Sequence, residues 1–172
     1  MTNIQIRQAT EQDIPFLWEM LYESLYVPEG EQPFAREIIE EPFMAKYVQD
    51  WGRAGDMGYI AVDDSNTRVG SITARYFTAS NPGFGYVADT VPELGMAVLP
   101  AYRGQGIGTA LMKTLMEELK ARGVQQFSLS VAPENKAAMK LYQRFGFYEV
   151  GMVDTSLTMV SDMKDHLEEI KK

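Results

Sequence analysis

The sequence predicts an α/β fold, and three patterns carry that prediction. Residues 93–122 read as strand, glycine turn and long helix: the apolar run Leu94–Leu99 ends at Pro100, Gly104, Gly106 and Gly108 follow, and Ile107, Leu111, Leu115 and Leu119 then form an i, i+4 stripe. Two hairpin patterns, Gly58–Asp63 with Val69–Thr78 and Tyr148–Asp154 with Leu157–Val160, supply further strands. Near the N-terminus, Ile14, Leu17, Trp18, Leu21 and Leu25 recur at helical spacing.

Each element has a local justification. Ile4, Ile6 and Gln8 alternate as an edge strand does, and Thr10 with Asp13 resembles a capping box that opens the first helix. YVPEGEQPF, residues 26–34, is a loop by its Pro, Gly and Glu content, and short helical pieces split by Pro42 follow it to about Trp51. Asp63-Asp64 opens a hairpin turn with Ser65-Asn66 at its tip. After the turn Asn81-Pro82-Gly83, Tyr86–Val98 is expected to form a strand interrupted around Thr90-Val91-Pro92, since proline cannot donate to a ladder. Gly123 stands where a helix C-cap belongs, Phe127–Val131 reads as a strand, and Asn135 caps a helix running to Phe145. Residues 1–160 form one domain in this reading, and 161–172 a charged tail.

Composition narrows the chemistry. The 172 residues suffice for a proper core, with 45% hydrophobic and 23% charged residues as in ordinary globular proteins. No run approaches the roughly 18–20 apolar residues of a membrane span, and MTNIQIRQAT lacks the blocks of a signal peptide. There is no cysteine, which excludes disulfides, thiol nucleophiles and Cys-ligated metals and fits a cytoplasmic protein. The one histidine, His166, lies in the tail, so a Ser-His-Asp triad or a His-Glu-x-x-His zinc site is unavailable. Asp63-Asp64 fails as a calcium loop because Arg68 stands where glycine is required, and no metal is expected. A net charge of −8 argues against nucleic acid as a partner. Five glutamates stand against Arg36 alone between Glu29 and Glu41, half of that net charge.

The glycine turn is the most informative feature. A helix start presents amides without intrahelical partners and a partial positive charge, glycine lets backbone approach a phosphate, and Arg103 adds a permanent cation. Gly-x-Gly-x-Gly is not the dinucleotide-fold spacing, and Gly108-Thr109 lacks the lysine of a Walker loop. A plain flexible turn before a surface helix is the alternative on these residues alone.

The downstream stretch LSVAPENKAAMKLYQRFGF, residues 129–147, adds a second motif. Together, Arg103-Gly104-Gln105-Gly106-Ile107-Gly108 and Asn135 with Tyr142 and Gly146-Phe147 resemble the GNAT superfamily of acetyl-CoA-dependent N-acetyltransferases, over about Ile4 to Met159. The resemblance implies a mixed, largely antiparallel sheet of about seven strands flanked by helices, with a splayed strand pair forming the cofactor cleft. It implies acetyl-CoA as co-substrate, its pantetheine arm pairing with the backbone of Met96, Ala97 and Val98 as an added strand would. Arg103, Gly104, Gln105, Gly106, Ile107, Gly108 and Thr109 would take the pyrophosphate, and Asn135 would touch the cofactor arm besides capping its helix.

Tyr142 is the catalytic candidate by the same resemblance, its hydroxyl directed at the cofactor sulfur; by periodicity it is one more aromatic on a buried face. Ser130 stands where some peptide-N-terminus acetylating relatives carry a glutamate, so no base is carried over there. Glu93 at the strand start is the candidate base, Tyr86 and Asp89 are lesser ones, and an ordinary exposed or bulge-stabilising glutamate is the alternative for Glu93. The expected reaction is acetyl transfer to a primary amine of a small molecule or a peptide, with a small cationic amine favoured by the acidic segment. A non-catalytic acyl-CoA-binding module is the rival, and a monomer or homodimer is expected.

Overall fold

The computed structural model describes residues 3–163. The expected charged tail, His166 included, falls almost wholly outside the described residues. Among the described residues seven strands form one sheet: β1 (Gln5–Gln8), β2 (Met57–Val62), β3 (Arg68–Arg75), β4 (Glu93–Val98), β5 (Gln126–Val131), β6 (Tyr148–Val153) and β7 (Ser156–Asp162). The helices are α1 (Ile14–Glu23), α2 (Pro42–Ala45), α3 (Ile107–Ala121) and α4 (Lys136–Arg144), with 3₁₀ turns at Glu11–Asp13, Arg36–Glu40 and Pro100–Tyr102. The sheet order is β1-β2-β3-β4-β5-β7-β6. β1–β2, β2–β3, β5–β7 and β6–β7 pair antiparallel and β4–β5 parallel, as expected for a mixed, largely antiparallel sheet.

The chain clusters into two compact units, the first made of residues up to Ala74 with Gly95–Glu117, the second of Arg75–Leu94 with residues from Glu118 onward. β4 and α3 contribute residues to both.

In the first unit, Asp13 joins three elements. Its carboxylate accepts two bonds from Arg7 of β1 at 2.8 Å, one from Arg68 Nε of β3 at 2.7 Å and one from the Thr10 amide at 2.7 Å. The capping interaction expected from Thr10 and Asp13 is therefore present, and it is also the tie between the helix start and two strands. The carboxylate is fully buried, and the Arg7 guanidinium, with the Thr10 amide and Arg68, holds its pKa far below the usual range against the opposing effect of burial. The β2–β3 hairpin closes as the sequence predicts: Asp63 accepts from the amides of Ser65 and Thr67 at 2.9 Å each, and Asn66 takes the left-handed conformation at φ 62°.

In the second unit the structure corrects one expectation. Tyr86–Val91 is not strand; β4 begins only at Glu93, after Pro92. Side chains hold the preceding loop in place of a ladder. Asp89 accepts from the Ala79 amide at 3.1 Å and from the Tyr86 hydroxyl, Ser128 Oγ donates to Gly85 O at 2.6 Å and Thr158 Oγ1 to Phe84 O at 3.2 Å. Gly85 lies so close to β5 that a Cβ would stand 2.6 Å from the Leu129 carbonyl carbon, so only glycine fits. The last strand continues to Asp162, beyond the Val160 expected, because its ladder with β5 runs on through Phe127↔Ser161 and Gln126↔Asp162.

Asp13→Asn is expected to destabilise the protein by about 2–3 kcal/mol, through loss of charge-assisted bonds to arginines that can partly rehydrate. Because the native pKa is depressed, the Asp13 contribution is present above the unfolded value near 4 and is lost as pH falls toward the native one. Urea midpoints between pH 2 and 7 check this: the unsubstituted protein should lose stability more steeply on acidification than the variant.

Candidate active site

The glycine turn expected to take the pyrophosphate is built from the end of β4 and the start of α3, in the first unit. Leu99 N donates to Val69 O at 2.8 Å, anchoring the strand end to β3. A 3₁₀ turn over Pro100–Tyr102 and left-handed residues at Gly104 (φ 77°) and Gly106 (φ 82°) then redirect the chain into the helix. A Cβ at either glycine would meet nothing within 4 Å, so glycine is needed there for its backbone conformation and leaves the turn open. The first bond of α3 runs from Ala110 N to Gly106 O at 3.1 Å, so the Ile107 and Gly108 amides precede the helical ladder. Ile107, Leu111, Leu115 and Leu119 are all buried, confirming the helical stripe. Arg103 through Gly106 are exposed. This is a cradle of backbone donors suited to an anion.

Arg103 does not extend freely from the turn. Its Nε donates to Val98 O at 2.9 Å, and Nη2 lies 3.5 Å from Glu23 Oε2, the last residue of α1. Sequence reasoning passed over Glu23. The available signal was a carboxylate at a helix C-terminus, where the dipole disfavours it, with no basic residue in the same turn.

Of the strand residues expected to hold a pantetheine arm, Met96 and Val98 are half-buried and Ala97 is buried. The parallel β4–β5 ladder comprises Glu93↔Ser128 and Leu94↔Leu129, and Met96, Ala97 and Val98 lie past those pairs along β4.

The other candidates belong to the second unit. Asn135 caps α4 through Oδ1, which accepts from Ala138 N at 3.3 Å. Tyr142 is buried on α4 with Phe147 edge-on at 5.7 Å, and burial alone pushes its pKa up to about 12. Glu93 is the first residue of β4, as expected, and is 4% exposed, which overturns the alternative of an ordinary exposed glutamate there. Tyr86 donates to Asp89, which raises the phenol pKa. Among the described residues no group of three His, Asp or Glu converges to hold a metal ion, and no helix is long and apolar enough to cross a membrane.

Residues 15–147 match the family model described as the Acetyltransferase (GNAT) family. The chain belongs to that family. It is accordingly an acyltransferase by class, and acetyl-CoA is the co-substrate the GNAT family uses. An uncharacterized N-acetyltransferase of Methanocaldococcus jannaschii is 30% identical over 156 residues, covering 90% of this chain and 65% of the relative, so the chain spans about two thirds of that protein's length. N-alpha-acetyltransferase 30 of Schizosaccharomyces pombe is 42% identical over 112 residues, 63% of this chain and 69% of the relative. Among solved structures, a GNAT-family acetyltransferase from Staphylococcus aureus superposes with a TM-score of 0.69 at 17% identity, covering 94% of this chain and 99% of that one. The ribosomal-protein-S18-alanine N-acetyltransferase from Escherichia coli gives 0.64 at 19% identity, covering 94% of each. Both show that this GNAT chain shares their fold.

The open turn of this GNAT chain generates a direct test. Gly106→Glu places a strained residue and a negative charge beside the amide cradle. Acetyl-CoA at a hundredfold excess over Kd should stabilise the unsubstituted protein by about 2.7 kcal/mol. Thermal melts should show that shift lost in the variant; a folded variant with the full shift would remove the phosphate assignment.

Proposed function

We propose that this chain transfers acetyl from acetyl-CoA to the primary amine of a small cationic molecule by direct attack. The open, left-handed glycine turn leading into α3 is the observation that carries the reading, since it supplies amides for a pyrophosphate without a side chain in the way. Met96, Ala97 and Val98 would pair with the pantetheine arm, Arg103 through Thr109 would take the phosphates, and Asn135 would contact the arm.

In the proposed reaction the amine nitrogen attacks the thioester carbonyl. The C–N bond forms, the oxyanion takes a hydrogen bond from a backbone N–H near Val98, and the C–S bond then breaks. Glu93 would remove the amine proton, directly or through water. Tyr142 would donate a hydrogen bond to the departing thiolate. A phenol held near pKa 12 keeps its proton across the working pH range and is a weaker acid than the thiol, so it would stabilise the developing charge on sulfur while the thiolate takes its proton from solvent after it leaves.

The acidic segment supports a cationic acceptor. Glu29, Glu31, Glu37, Glu40 and Glu41 are all exposed. Arg36, the cation within that stretch, is drawn onto α1 by Glu19 at 2.5 Å and by the Tyr22 ring at 4.6 Å. The segment therefore presents carboxylates to solvent. A peptide α-amine is the second reading, favoured by the names of the S. pombe relative and of the E. coli ribosomal protein bS18-alanine N-acetyltransferase, the latter 43% identical over 63 residues, 37% of this chain and 43% of the relative. A screen of polyamines, amino acids and peptides for thiol release separates the two.

Tyr142→Phe keeps the packing volume and removes the hydroxyl. Turnover should fall roughly tenfold to a hundredfold, at the low end of general-acid effects, with acetyl-CoA affinity little changed. For the unsubstituted enzyme kcat/KM should rise with pH as the amine loses its proton, with no decline from Tyr142 until about pH 12. Unchanged turnover in a variant whose chemical step is rate-limiting would exclude Tyr142 from the mechanism.

Replacing Glu29, Glu31 and Glu37 by Gln should weaken capture of the cationic amine, raising KM with kcat nearly constant. It should also flatten the salt dependence of kcat/KM, since exposed charges are screened beyond about 8–10 Å at physiological salt. Salt-insensitive kinetics with the true substrate would return those glutamates to a solvated face.

A further inference from the structure

Glu23 stands at the C-terminal end of α1, where the helix dipole disfavours a carboxylate, and no residue of that last turn is basic. The local sequence gives it no support. Its partner in the fold is distant in sequence: Arg103 Nη2 approaches Glu23 Oε2 to 3.5 Å, while Arg103 Nε donates to Val98 O at 2.9 Å. The first contact is long for a charge-assisted bond, which typically spans about 2.7–2.9 Å, and both side chains reach solvent, Arg103 at 54% and Glu23 at 22% exposure. A loose, wet ion pair of this kind is readily exchanged for a stronger anion.

The neighbours of Glu23 on α1 are already committed. Tyr22 donates to Phe34 O at 2.5 Å and carries the Arg36 guanidinium over its ring, and Glu19 pairs with Arg36. The end of α1 therefore grips the acidic loop on one side and the phosphate turn on the other.

We propose that Glu23 is a resident counter-ion of the phosphate turn, competing with the cofactor's phosphates for Arg103 and thereby setting the affinity of the site from α1. The proposal rests on the assignment of residues 103–109 to the pyrophosphate. Glu23 neutralises part of the Arg103 charge whatever the exact pose of the guanidinium, so removing its charge strengthens the attraction for a polyanion. The carbonyl bond to Val98 keeps Arg103 at the turn when Glu23 is gone, so the gain in charge is not offset by loss of the side chain to solvent.

The test is calorimetric titration with CoA, which binds without turnover, at low and at high salt. Glu23→Gln should bind CoA about two- to fivefold more tightly than the unsubstituted protein at low salt, and the difference should close as salt is raised. Glu23→Asp, which keeps the charge, should bind as the unsubstituted protein does. In an Arg103→Gln background the Glu23→Gln change should have no effect, because the competition has been removed. Weaker or unchanged binding by Glu23→Gln overturns the proposal, as does an equal gain in the Arg103→Gln background. Failure of the unsubstituted protein to bind CoA at all would instead overturn the phosphate assignment, and this inference with it.

Discussion

The left-handed backbone at Gly104 and Gly106 is the constraint on which the candidate phosphate site depends. A strand must give way to a helix within a few residues while the first amides of that helix stay accessible. Residues with a Cβ rarely adopt φ near +80°, so glycine is required at both positions. The buried stripe Ile107, Leu111, Leu115 and Leu119 fixes the direction of α3, so the amides at its start are aimed by packing over the whole helix. Leu99, bonded to Val69, fixes the other end. Backbone conformation supplies the donors, and the core holds them in place.

Two clusters of opposite charge in the first unit show how burial separates enclosed from exchangeable ion pairs. Asp13 is fully enclosed, with bonds at 2.7–2.8 Å to two arginines and an amide, and its pKa is driven far down. Such a carboxylate is committed to the fold. Arg103 and Glu23 meet at 3.5 Å with both side chains partly exposed, while Arg103 is held at the turn by its bond to Val98 O. The residue pairs have the same chemistry, and their surroundings enclose one and leave the other open to solvent.

Burial also shapes the candidate acid and base. Removing a phenol from water disfavours its anion, which is why Tyr142 rises to about 12 with no charged neighbour needed. Tyr86, by contrast, is shifted mainly by its bond to the Asp89 carboxylate. The periodicity of α4 made Tyr142 a buried aromatic, and it is buried, with Phe147 edge-on to its ring; that enclosure is what keeps the proton on the oxygen.

Much of this was legible in the chain itself. Local physics set the α3 stripe, the Gly123 cap, the Asn135 cap and the Asp63–Thr67 turn, since each rests on residues within a few positions of one another, and the paired motifs around Arg103 and Asn135 carried the family. What the sequence could not express were partnerships across long stretches of chain. The segment Tyr86–Val91 has the apolar content of a strand, yet Gly85 pressed on Leu129 and the Ser128 bond hold it as a loop. Asp13 read as a cap, and only folding brought Arg68 to it. The sequence left an exposed Glu93 open and the fold buries it, and Glu23 has no local partner until Arg103 comes within reach. Short-range backbone preferences and spacing determined the elements and the motif; tertiary structure alone decided which charges are enclosed and which remain exchangeable, because desolvation depends on neighbours far away in sequence.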